Sequence, residues 1–329
     1  MRRLLKYYFK RRILNISIFT LILLAVTISV LLNYSFEYNG SIYYAPISMP
    51  AIFMVVLATI VPICEFSFKM NKTNIDSLYS MPIKRSKIHL SRYIIGISQI
   101  VIPFTISYGV LLVWIAVQAN YYDYSYFIGF YFLLLLLGLI IYTIVIFVYT
   151  RANTIFDGII FLLFYAVILE FVVSVVRNSV DAIHAWNYFM YSPFFTFCYI
   201  FNEKSLGNFI DSYTITNACI SILAYFIISI VFAIIYFKDI YSEMPENISQ
   251  KSTSWFGYKT IIPIAEVFLS IYTLANYSIV LYILVVVGSY FLYVIYQRNF
   301  KIRMNNFIIY IASLLLGTGI GLLYYFGAL

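Results

Sequence analysis

Few residues in this chain could carry chemistry, and they are scattered. There are 13 Asp and Glu, two His and three Cys among 329 residues. His89 and His184 lie far apart, and neither has a second histidine at the spacing that holds a zinc ion on one helix. Cys64, Cys198 and Cys219 show neither metal-type spacing nor an evident pairing. A phosphate-cradling G-x-x-x-x-G-K-[ST] loop is missing from the sequence. Gly317, Gly319 and Gly321 sit in an apolar run with no lysine after them, a pattern suited to close helix packing. Glu170 is the carboxylate set deepest in an apolar segment, roughly 22 Å along a helix that starts near Ile155. Two readings stand for it: a contact on a substrate or ion path, or an interfacial residue paired with Arg177. Glu65 and Glu266 read as interfacial, so the midplane ionisable groups that proton-coupled transport needs are not expected. No catalytic, cofactor-binding or metal-binding residue is assigned.

The elements around these residues are dictated by apolar content. Hydrophobic residues make up 63% of the chain and charged residues 10%, which no water-soluble domain sustains. A hydrocarbon layer about 30 Å thick takes roughly 20 apolar residues as helix, because each backbone N–H and C=O must be satisfied within the segment. Phe132 to Val148 and Ile279 to Val294 are apolar on every side, whereas barrel strands alternate with period two. The fold class is an all-α polytopic membrane protein. About nine spans are predicted, near residues 13–32, 47–64, 93–117, 126–149, 155–176, 216–237, 260–274, 279–296 and 306–325. The first is about 20 residues long and lacks an A-x-A-like site before Asn33, so it is expected to remain as a span.

Basic residues orient these spans. With the N-terminus cytoplasmic, only Arg177 and Lys204 of the 21 Lys and Arg face outside. Adding or deleting one span would move every later basic cluster to the wrong side. The net charge of +8 therefore reflects topology and anionic lipid, and nucleic acid is not an expected partner.

Segments outside the hydrocarbon carry more information. Residues 1–12 place Leu4, Leu5, Tyr8 and Phe9 on one helical face and Arg2, Arg3, Lys6 and Lys10 on the other, which fits a helix lying on the membrane surface or a basic anchor. Between the second and third spans, Thr73 and Asp76 form a capping-box pattern and Pro82 removes a donor. A short helix over residues 74–80 is predicted, with Ile75, Leu78 and Tyr79 as an apolar knob. Residues 177–213 are crowded with aromatics, Trp186, Phe194 and Phe195 among them, around Pro193. That region reads equally as a lid over an exit path or as an anchoring aromatic belt. Residues 238–259 are a polar connector.

The stretch DSLYSMPIKRSKIHLSRY resembles the permease subunits of ATP-binding-cassette (ABC) transporters of the second exporter class. In these an acidic residue, a short helix, a Leu-Pro-like step and a basic pair sit between spans two and three; Met81 stands where the Leu is usual. RNFKI from Arg298 to Ile302 looks like a recurrent basic motif of the same class. The resemblance implies a six-span core over residues 13–237, with residues 260–329 as a three-span extension. It implies a multi-pass protein of a bacterial cell membrane, with ATP and Mg2+ bound on separate cytoplasmic ATPase subunits and a second permease copy or paralogue as partner. Asn74, Ile75, Asp76, Leu78, Tyr79, Lys84 and Arg85 would form the ATPase contact. An amphiphilic or peptide-like substrate is expected. The alternatives are an antimicrobial-peptide sensing or immunity module of the same architecture and a membrane-embedded lipid-modifying enzyme.

Overall fold

A computed structural model describes residues 2–33, 48–80, 82–117, 124–181, 212–240, 254–275, 278–297 and 299–325. Its elements in chain order are α1 (Arg2–Asn33), α2 (Ser48–Phe66), a 3-10 turn (Ser67–Met70), α3 (Lys72–Tyr79), α4 (Arg85–Val117), α5 (Tyr124–Tyr149), α6 (Ile155–Asp181), α7 (Ser212–Asp239), α8 (Tyr258–Ala275), α9 (Ile279–Gln297) and α10 (Met304–Tyr325). No strand occurs among the described residues. Seven of these helices, α1, α2, α4, α5, α7, α9 and α10, are long and apolar enough to cross a membrane. Helices α6 and α8 coincide with the two remaining predicted segments, and the continuous apolar stretch described in α6 is Ile155–Ile168.

Exposed apolar surface identifies the solvent. Leu21, Ile234, Ile295 and Leu315 are each more than 60% exposed on the outer faces of α1, α7, α9 and α10. Such faces would drive aggregation in water and are at home among acyl chains, so the chain is a polytopic membrane protein. Helix α5 behaves differently: 67% of its apolar window is buried, and it packs against α2, α6 and α7 as the centre of the bundle. Helix α1 lies along α4, and α2 fills the space between α4 and α5. The core follows from these pairings, with Met54, Tyr108, Tyr142, Tyr149 and Phe161 all fully enclosed.

The last helices form a smaller group in which α8 packs on both α9 and α10. A Cβ on Gly317 would stand 2.9 Å from the Val267 carbonyl oxygen, so glycine is what lets α10 lie directly on the α8 backbone. Gly321 meets Leu274 in the same way, while Gly319 faces open space. The packing role read from the three glycines therefore holds for two of them.

Candidate functional site

Helix α3 is the short rod expected between the second and third spans, but it is built differently. It starts two residues early, at Lys72, because Asn71 supplies the cap: its Oδ1 accepts from the Thr73 N–H at 3.1 Å and the Thr73 hydroxyl at 2.8 Å. Thr73 is thus a donor to the cap and not the cap itself. The helix ends as expected, with the Ser80 N–H donating to the Asp76 carbonyl at 3.1 Å.

The apolar side of α3 faces the bundle. Ile75 and Leu78 are buried, while Asn74, Asp76 and Ser77 are exposed. Of the apolar knob expected of Ile75, Leu78 and Tyr79, Ile75 and Leu78 are buried against the bundle and Tyr79 is partly buried. A two-turn helix cannot hold itself in water, so its apolar side chains serve to seat it and its polar face is left outward. Lys84 is exposed, and the Arg85 guanidinium lies over the Tyr79 ring at 4.5 Å.

His89 ties this rod to the rest of the molecule. Its ring is fully buried on α4, with Nε2 3.0 Å from the Tyr79 hydroxyl of α3 and Nδ1 2.6 Å from the Tyr236 hydroxyl of α7. A neutral imidazole donates through one nitrogen and accepts through the other, so it serves both tyrosines at once. Phe66 packs edge-on against Tyr236, and Phe68 lies beside the His89 ring. A displacement of α3 therefore bears directly on α4 and α7.

Beside this bracket lies a buried ionic cluster. Glu65, at the end of α2, is 2% exposed; its carboxylate meets Arg12 Nε at 2.6 Å and Arg92 Nη1 at 3.7 Å, and Gln99 Nε2 donates to it at 2.7 Å. Arg92 also donates to the Glu65 carbonyl at 2.9 Å and lies over the rings of Phe68 and Tyr8. Glu65 is therefore not a solvent-facing residue at the end of its span: three helices, α1, α2 and α4, converge on it. The helix expected over residues 1–12 and the span after it are one uninterrupted rod, and Arg12 on that rod reaches Glu65. Elsewhere, Arg151 pairs with Asp239 at 2.6 Å, and Tyr258 donates to Asp157 at 2.5 Å.

Glu266 also departs from expectation. It lies halfway along α8, about 12 Å from the first residue of that helix, and is 1% exposed. Ser313 of α10 donates to it at 2.5 Å and Ser289 of α9 at 3.2 Å. An ionisable group in mid-helix is thus present after all. Glu170 is partly buried on α6, near Tyr225 of α7. Trp186, Phe194 and Phe195 lie outside the described residues, as does the side chain of Arg177.

No set of three His, Cys, Asp or Glu able to hold a metal occurs among the described residues. What the geometry offers is mechanical: a braced surface rod wired by hydrogen bonds into two long helices. Tyr236 and Gln99 were passed over in the sequence, while His89 was weighed only as a metal ligand and Glu65 only as an interfacial residue; the legible signal was a Glu, a Gln and a His at the margins of apolar runs, where burial forces each to find partners. Comparison with protein-family models, with curated proteins and with solved structures finds no match to this chain.

Proposed function

We propose that this chain is the membrane-spanning subunit of an ATP-driven transporter of the ABC type, with α3 as the element that receives force from a separate ATPase subunit. The observation that carries this reading is the seating of α3: its apolar side is anchored, its polar side is outward, and His89 links it to α4 and α7. A loop that served only to connect two spans would need neither the Asn71 cap nor the buried bracket. On this reading nine spans cross the membrane from a cytoplasmic N-terminus, in keeping with the basic-residue bias. Nucleotide closure of two ATPase subunits would rock two permease chains between inward and outward states and export an amphiphilic or peptide-like substrate. Asn74, Asp76 and Ser77 would meet the ATPase, with Lys84 as a flanking charge; Ile75, Leu78, Tyr79 and Arg85 would hold the rod in place.

The test is affinity purification of the full chain in mild detergent from its native membrane, with vanadate-sensitive ATPase activity as the readout. Wild type is expected to bring down an ATPase subunit that carries its own phosphate-binding loop. Asn74→Arg combined with Asp76→Arg, both on exposed positions, is expected to lose that activity while the chain stays folded. Retention of full activity in the double variant, or none in wild type, would refute the proposal.

A further inference from the structure

At the basic end of the bundle a cavity of about 1000 Å³ opens between the first turns of α1, the turn after α2, α3 and the start of α4. Arg3, Arg11, Arg12, Lys84, Lys87 and Arg92 line it, and no Asp or Glu is among its lining residues. Arg12 and Arg92 lean on Glu65 behind the wall, but the Arg92 Nε is buried without an acceptor on a residue only 7% exposed. The cavity is thus lined by cations and by no carboxylate, which calls for an anion.

Its depth and surroundings narrow the choice of anion. Arg12, which closes the basic run at the start of α1, and Cys64, in the last turn of α2, both line it; on the nine-span reading that is headgroup level. Leading away from Arg11 along α1, Leu14, Ile18 and Leu21 are 64%, 44% and 67% exposed. Their i, i+3, i+7 and i+10 spacing puts them on one stripe of the helix. An occupant with a phosphate in the cavity and acyl chains along that stripe satisfies both features. A free phosphate or an acidic peptide has no use for the stripe.

We infer that this cavity binds the headgroup of an anionic phospholipid, clamped between α1 and the α3–α4 corner. The bound lipid bridges the rod to α1 and supplies acceptors to cations that the protein leaves without carboxylates. This inference is independent of the ATPase reading, because its test contains neither nucleotide nor partner.

The full chain in detergent is titrated with phosphatidylglycerol and, separately, phosphatidylcholine, and bound lipid is counted by native mass spectrometry. Wild type is expected to retain phosphatidylglycerol and shed phosphatidylcholine. Arg11→Gln, Lys84→Gln and Lys87→Gln together, all exposed positions, are expected to weaken phosphatidylglycerol binding on the order of a hundredfold. Lys301→Gln with Arg303→Gln, exposed cations on another loop, is expected to leave it unchanged. If the triple variant fails to fold, Lys84→Gln and Lys87→Gln are read singly, each expected to weaken binding about fivefold. The inference is overturned by equal retention of the two lipids, or by equal loss in both sets of variants. Competition by inorganic phosphate as strong as by lipid would overturn it in favour of a soluble anion, and displacement by an acidic peptide in favour of a protein partner.

Discussion

Glu65 and Glu266 are almost equally buried, at 2% and 1% exposure, yet their surroundings are opposite. Two guanidinium groups and an amide enclose Glu65. Only serine hydroxyls donate to Glu266 in the described structure. Position explains the difference. Glu65 ends α2 at the basic end, where long arginines on α1 and α4 can bring their charge inward and leave their stems on apolar surface. Glu266 sits halfway along its helix, where a cation would be costly to place and small hydroxyls on neighbouring helices are the cheap donors. Charge thus locks the larger bundle at one end, while the α8–α10 group is held by close contact and neutral donors.

Glu65→Ala is expected to have the largest effect, because it leaves Arg92 buried and Arg12 partly buried without their counter-charge. A loss of about 3–5 kcal/mol is expected, read as reversible unfolding of the purified chain in mixed micelles. A loss below about 1 kcal/mol would mean that the cluster is hydrated and that the contrast with Glu266 is false. Next comes Gly317→Leu, which would force α10 off the Val267 backbone and the Ser270 Cβ at a cost of about 1–3 kcal/mol. The same change at Gly319, which faces open space, should be nearly silent, and equal effects at the two sites would contradict the packing described.

His89→Ala orphans the Tyr79 and Tyr236 hydroxyls and is expected to cost about 1–3 kcal/mol. Its specific signature is faster proteolysis at residues 72–84 than wild type shows; unchanged protection there would detach α3 from the bracket. The smallest effect is expected from Glu266→Gln, at about 1 kcal/mol or less, since an amide oxygen can still accept from Ser289 or Ser313. A penalty equal to that of Glu65→Gln in the same assay would erase the distinction between the two carboxylates.

How far each region could be read in advance follows the kind of physics that holds it. Apolar runs marked the helices, since in lipid a run of sufficient length has no other way to satisfy its backbone. The short rod α3 was legible because Pro82 and a local cap are signals within a few residues, although the cap proved to be Asn71. Which side of α3 faces inward was not legible: Ile75, Leu78 and Tyr79 make the same stripe whether they seat the rod or greet a partner. Glu65 and Glu266 looked interfacial for a similar reason, as the partners that bury them come from other helices, with Arg12 and Glu65 separated by more than 50 positions.

By itself, then, the sequence determined a helical membrane protein and a short capped helix with cations close by, because backbone satisfaction, lipid partition and capping are local or additive along the chain. Only tertiary structure decided that His89 joins α3 to α7, that two buried glutamates have unlike partners, and that six scattered cations surround one cavity. Those features depend on the rotation of each helix about its axis and on which helices are neighbours, and both are set by packing across the whole bundle.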